Sequence, residues 1–310
     1  MLGRVQFTNF GLAKPVPVAV ALLSLAGCAV RRTTRVSVPP NPAALEPASG
    51  SDLVARVEAQ SKAVRTLVAT VDLEPTAGSV YSGVIKEYRD VRGFILLQAP
   101  DHLRIVGQAP VVRTTLFDMV SDGAEFKLSI PPKGKFIVGK TNATRPAKDA
   151  LENLRPQHVL DALVLAPIDT SRDKYFVDRE EGSGQPSYVV YVLEPGTEPG
   201  HGGELTLDRK IWLSGSGLDG LKVTRLSLYD SSGSVVEDVK YSRYQDFAGV
   251  HYPARIEISR PVEDYRLGIN IEKATLNQPI APEKFELQKP AAEELVELGA
   301  APRPEAPVDP

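Results

Sequence analysis

The residue types that could carry chemistry are present but scattered. Four histidines, His102, His158, His201 and His251, lack the paired spacing of a helix-borne metal site, and the single cysteine, Cys28, excludes both a disulfide framework and a thiolate zinc site. The segment Gly215-Ser216-Gly217-Leu218-Asp219-Gly220 satisfies the spacing G-x-G-x-x-G, yet the residues after it, LKVTRLSLYD, pattern as a strand. A phosphate cradle needs its glycines between a strand and the N-terminus of a helix, so this segment reads as a glycine-rich hairpin loop. Asn142-Ala143-Thr144 fits a glycosylation sequon. Carboxylates are plentiful, but pairing any two for acid–base work depends on tertiary proximity, and solvated surface charge is the default. The sequence therefore assigns no catalytic residue, no metal and no cofactor.

Cys28 has a different explanation. Arg4 and Lys14 give the chain a positive start, and residues 15–27 form an apolar run ending in small residues. A bilayer span takes about 20 residues, so this run matches the apolar core of a secretory signal. Leu25-Ala26-Gly27-Cys28 resembles a bacterial lipobox. That resemblance implies cleavage before Cys28, a diacylated sulfur bearing palmitate-type chains, and membrane attachment through this residue. Buried methylenes contribute about 0.8 kcal/mol each, so two or three chains anchor stably. The plainer alternative is a buried thiol just beyond an ordinary signal-cleavage site. Ala29, where an aspartate resembles an inner-membrane retention signal, points to the outer membrane, periplasmic face.

The net charge is −3, and loss of Arg4 and Lys14 with the signal leaves −5. Nucleic-acid binding is not indicated, because it calls for a basic excess. Residues 28–50 are proline-rich and poor in large apolar groups, which reads as a disordered tether, and residues 290–310 read as a disordered tail with a turn of helix near 293–298. The working domain is 51–289. It opens with SDLVARVEAQSKAVRTLVATVDL, where Leu53, Val57, Val64, Leu67, Val68 and Val71 share a face at helical spacing and Ser51 or Asp52 is available as N-cap. Strands are expected at 81–89, 93–98, 102–107, 114–120, 125–130 and 135–138. Short helices follow within 148–165, and strands resume at 174–177, 187–193, 204–208, 210–213, 221–230, 235–244, 251–259 and 265–272. In YRLGINIEK and ARIEIS the alternation of Leu267, Ile269 and Ile271, and of Ile256 and Ile258, marks half-buried antiparallel strands.

This order of elements resembles the LolA/LolB family of bacterial lipoprotein carriers. The matching phrases are VRTLVATVDL, FILLQAPDHLRIVGQAP, MVSDGAEFKLSIPPKGK, ENLRPQHVLDAL and the meander from VTRLSLYD through GVHYPARIEIS. The resemblance implies a mainly β fold with helices (α+β): a curved antiparallel sheet forming an incomplete barrel, covered by helices and able to hold acyl chains. Leu226, Leu228, Ile256, Ile258, Leu267, Ile269 and Ile271 become candidate lining residues, with Leu53, Val57, Val64 and Leu67 on the lid. Val111 and Val112 lie where LolB-like proteins carry an apolar loop that enters the membrane. The implied function is non-enzymatic binding of an acylated lipoprotein or lipid, in lipoprotein or lipid transport or envelope biogenesis. The alternatives are a solid core, and an envelope sensor or interaction module that recruits envelope protein partners without lipid cargo.

Overall fold

Alternation of apolar and polar side chains dominates the chain and dictates sheet, because every second residue of a strand points to the same face. The computed structural model describes residues 45–78, 86–87, 91–141, 155–181, 185–196 and 204–298, all within the compact unit Pro42–Pro310. Outside the described residues lie the signal segment, Cys28, most of the tether, the sequon, His201, most of the strand expected at 81–89 and the start of the helical segment expected at 148–165.

Helix α1 (Gly50–Ala63) starts two residues earlier than a cap at Ser51 predicts. Its cap is Ser49, whose hydroxyl accepts the Asp52 N–H while the Asp52 carboxylate accepts the Ser49 N–H, a reciprocal capping box. The Ser49 bonds hold the Asp52 carboxyl below its usual range. The long helix expected through Val71 is corrected: it ends at Ala63, and β1 (Thr66–Ala77) follows. Leu67, Ala69, Val71 and Leu73 are buried at a period of two, and the β-branched residues among and beside them favour strand. Asn277 fixes the break by donating to the Ala63 carbonyl and accepting from the Arg65 N–H. Leu67 is therefore a strand residue and not part of a helical lid.

The strands that follow are β2 (Lys86–Glu87), β3 (Val91–Gln98), β4 (His102–Gln108), β5 (Thr115–Ser121), β6 (Glu125–Ile130) and β7 (Lys135–Lys140). Helix α2 (Pro156–Leu163) then precedes β8 (Lys174–Glu180), β9 (Ser187–Pro195), β10 (Leu205–Ser214), β11 (Lys222–Tyr229), β12 (Val235–Phe247), β13 (Val250–Arg260), β14 (Tyr265–Leu276) and β15 (Glu294–Leu298). They form one open, curved sheet in the order β15-β7-β6-β5-β4-β3-β1-β14-β13-β12-β11-β10-β9-β8, with β2 beside the end of β1. Every pairing is antiparallel except β15 with β7. Two strands expected between 204 and 213 are one strand, β10, with a register shift between Leu207 and Arg209. The helical turn predicted near 293–298 is instead β15, docked by the buried Glu293 carboxylate, which accepts from Ser129 Oγ at 2.7 Å. The last tether residues also pack, since Leu45 is buried and Arg179 donates to its carbonyl.

One face of the sheet is apolar, and α1 and α2 add Leu53, Val54, Val57, Val159, Leu160 and Leu163 to the same buried cluster. The opposite face carries exchangeable charge, such as Arg104 with Asp118 at 2.7 Å and Arg255 with Glu74 at 2.8 Å. Registered neighbours form rows across the inner face, one of them Ile271–Val71–Gly93–Gly107–Phe117. Its two glycines make a trough: a Cβ on Gly107 would lie 2.2 Å from the Phe117 ring. Gly107→Ala is expected to displace the buried Phe117 ring and to destabilise the fold by about 1–3 kcal/mol, read by urea unfolding. An unchanged midpoint would show that the ring has room to move.

Candidate functional site

The apolar face leaves a cleft where the C-terminal turn of α1 meets the end of α2. There Gln60, Ala63 and Val64 face Ala162, Leu163, Val164 and Leu165, and the floor is Val223, Tyr241, Tyr252 and Pro253. The cleft between them has a volume of about 50 Å³. An engineered void of about 150 Å³ holds one benzene ring, so an acyl chain does not fit here in this conformation. The cleft continues outward into a groove of about 290 Å³ that shares Gln60, Ala63, Tyr244 and His251 and has Arg56 and Lys222 at its rim.

Strand geometry brings the tyrosines together. Arg243 takes a left-handed backbone, φ 52°, which interrupts the two-residue alternation of β12. Tyr241 and Tyr244, three residues apart, consequently line the same cleft. Tyr244 donates to the Val223 carbonyl at 2.6 Å and Tyr252 to the Leu163 carbonyl at 2.7 Å, so the second ties the end of α2 to β13. The Tyr241 hydroxyl is buried and has no hydrogen-bond partner among the described residues. Burial pushes all three phenols above their ordinary pKa, which keeps each hydroxyl protonated.

The residues expected to line a cavity lie elsewhere on the inner face. Leu226, Ile256, Ile258, Leu267, Ile269 and Ile271 are buried in the shared core, and Leu228 packs partly buried against it. None of the seven is among the residues lining the cleft. Of the expected lid, Leu53 and Val57 are buried on α1, Val64 lines the cleft as the residue that caps the helix, and Leu67 belongs to β1. Val111 and Val112 sit at the tip of the β4–β5 loop, 98% and 73% exposed. The glycine motif lies between β10 and β11, where Gly217–Gly220 forms one helical turn before a strand.

A buried charged cluster beneath α2 escaped the sequence reading. Arg260 donates to Glu237 at 2.6 Å and to Glu263 at 2.8 Å. Among the described residues Glu237 Oε1 and Arg260 Nε have no partner. The signal was strand parity: Glu237-x-Val239-x-Tyr241 and Ile256-x-Ile258-x-Arg260 place both charges on the inward face, one position beyond the Asp238–Ser259 pair. Burial pushes the Glu237 carboxyl up to about 7, against the opposing pull of Arg260. On α2, burial together with Arg260 and Arg155 pushes His158 down to about 3, and burial raises Asp161. His158 is therefore a neutral packing histidine near neutral pH.

Fold and cleft together define a curved antiparallel sheet with an apolar inner face and a small cleft at one helix-covered end. No family model matches the chain, and no curated protein matches it in sequence. Among solved structures it is similar to a DUF1329 family protein from Desulfovibrio piger, at 14% identity and TM-score 0.49, over 76% of this chain and 95% of that one. It is similar to a LolA superfamily protein from Nitrosomonas europaea at 11% identity and TM-score 0.46, over 76% and 97% of the two chains. It is also similar to an outer membrane lipoprotein-sorting protein domain from Vibrio parahaemolyticus, at 11% identity and TM-score 0.45, over 76% and 95%.

The titration of Glu237 has a defined sign. Its folded pKa lies above the ordinary value of 4.5, so its contribution to stability is full below that value and is lost as pH rises through about 7. The unfolding free energy of the wild type minus that of Glu237→Gln is expected to fall by on the order of 1–3 kcal/mol between about pH 4 and about pH 8. Urea unfolding of both proteins across that range checks it, and a flat difference would mean that Glu237 titrates near its ordinary value in the folded protein.

Proposed function

We propose that the protein is a non-enzymatic, lipid-anchored envelope protein that binds acyl chains of a lipoprotein or lipid between its sheet and its two helices. In this reading the sheet is an incomplete barrel, α1 and α2 are its cover, and Cys28 carries the anchor at the periplasmic face of the outer membrane. Residues 28–44 serve as the tether, and the domain extends from the capped start of α1 through β15.

The observation that carries the reading is the unequal attachment of α1. Its buried apolar residues, Leu53, Val54 and Val57, all lie before the last turn and a half. Arg56, in the same stretch, adds bonds to the carbonyls of Leu221 and Asp219, whereas the last turn, over the cleft, is held by the bond from the Val223 N–H to Gln60. Such bonds exchange for bonds to water at small net cost, about 0.5–1.5 kcal/mol each, whereas exposing the inner face to water is expensive. A chain that replaces the lost apolar contact stabilises the opened helix, so acyl burial biases the equilibrium. The small cleft of the closed form is also what an interaction module with a filled interior would have, and a binding measurement separates the two.

Native mass spectrometry of the Cys28→Ser protein, purified from a lipid-containing bacterial host, is expected to reveal bound acylated species. Ala63→Phe, which places a ring in both cleft and groove, should reduce their occupancy about tenfold or more. A clean apo mass after incubation with lipid would sink the acyl-binding reading and favour the interaction module. In the same reading Val111 and Val112 touch the membrane. Replacing both by Asp should lower binding of the Cys28→Ser protein to phosphatidylglycerol vesicles about tenfold in flotation assays without altering its unfolding midpoint. Unchanged flotation would remove the loop from membrane contact.

A further inference from the structure

Two buried donors without partners among the described residues belong to side chains that line one apolar cleft. Tyr241 is 8% exposed and its hydroxyl has no hydrogen-bond partner among the described residues, and the same holds for Gln60 Nε2. Both residues line the cleft. The orientation of Gln60 is fixed by its other end, because Oε1 accepts the Val223 N–H at 3.1 Å and the amide nitrogen is left as the free group. Tyr244 and Tyr252, beside them, each spend their hydroxyl on a backbone carbonyl. A buried polar atom without a partner costs about 1–3 kcal/mol, which makes two donors in one place a demand for an acceptor.

The chemistry of that acceptor follows from the lining. No Lys, Arg, Asp or Glu lines the cleft. His251 is the one imidazole in the lining and no fixed cation stands beside it there; a buried carboxylate or phosphate without a fixed cation is strongly disfavoured, which favours a neutral acceptor. A carbonyl oxygen has two lone pairs and receives the Tyr241 O–H and a Gln60 N–H together. The cleft volume of about 50 Å³ suits a group of that size, while the groove beyond it has room for attached chain or headgroup. We infer that Tyr241 and Gln60 recognise the ester or amide carbonyl of an acylated ligand and thereby set the depth to which its chain enters. The inference rests on the acyl-binding reading and adds a polar selectivity that apolar burial alone does not supply.

The test compares dihexanoylphosphatidylcholine with its dihexyl ether analogue, which keeps the chains and headgroup but lacks the carbonyls, by isothermal titration of the Cys28→Ser protein below micelle-forming concentrations. The ester is expected to bind about five- to tenfold more tightly than the ether. Tyr241→Phe should bring the two affinities together with the ether affinity unchanged, and it should not lower the urea midpoint, since the hydroxyl it removes has no partner in the protein. Gln60→Glu, which retains the acceptor for the Val223 N–H, should abolish the preference as well. Equal binding of ester and ether by the wild type would overturn the carbonyl inference while leaving acyl binding intact, as would an undiminished preference in Tyr241→Phe. Binding of neither lipid would overturn both.

Discussion

The interaction on which the rest depends is burial of one face of a very large sheet by very little helix. The inner face runs from β7 to β9 as a continuous apolar surface, yet α1 and α2 have only 14 and 8 residues to lay over it. Exposed apolar area costs roughly 25 cal/mol per Å², so the sheet must curve until its own side chains meet and leave the helices only the remaining opening. Glycine makes that curvature compatible with bulk: Gly93 and Gly107 lie side by side, the first beneath Val71 and Leu73 and the second beneath the Phe117 ring, and Gly139 faces the Phe126 ring. Large rings thus fill the interior without extra helix.

The same scarcity explains why polar groups collect under the helices. Arg260 and Glu237 on the sheet, Glu263 in the β13–β14 turn, and His158 and Asp161 on α2 share the region beneath that helix. Replacing a buried ion pair by apolar groups is often neutral or stabilising, so such a pair is poor evidence of added stability. Its effect here is positional, because α2 rests on charges that pair within the sheet and on one tyrosine bond to its last carbonyl. Both helices therefore combine an apolar seat with polar ties at the end bordering the cleft. An opening that starts at the tied end of α1 leaves its seat at Leu53, Val54 and Val57 intact.

Much of the fold was legible because alternation is local. The strand segments from Val91 to Ile130 and from Val235 to Leu276 announce themselves by period two, and the hairpin at Asp230 follows from its Asp-Ser-Ser-Gly turn, where the Asp230 carboxylate accepts the Ser232 and Ser234 N–H groups. The end of α1 was not legible. Leu67 and Val71, four apart, satisfy helical spacing as well as strand spacing, and what decides between them is Asn277, more than 200 residues away. The strand β15 was hidden for a related reason: five residues in an Ala- and Pro-rich tail become a strand only because β7 offers an unpaired edge.

The cleft was less legible than the sheet because its defining features are absences and irregularities. Apolar residues with the strongest alternation, such as Ile256 and Ile269, became the most deeply packed, and deep packing removed them from any void. The cleft formed instead where alternation fails, beside the left-handed Arg243 and at two helix ends, and it is lined by tyrosines, Gln60 and small residues. Strong apolar periodicity thus predicts the wall of such a protein, whereas its cleft lies where the periodicity breaks and a polar atom is left without a partner.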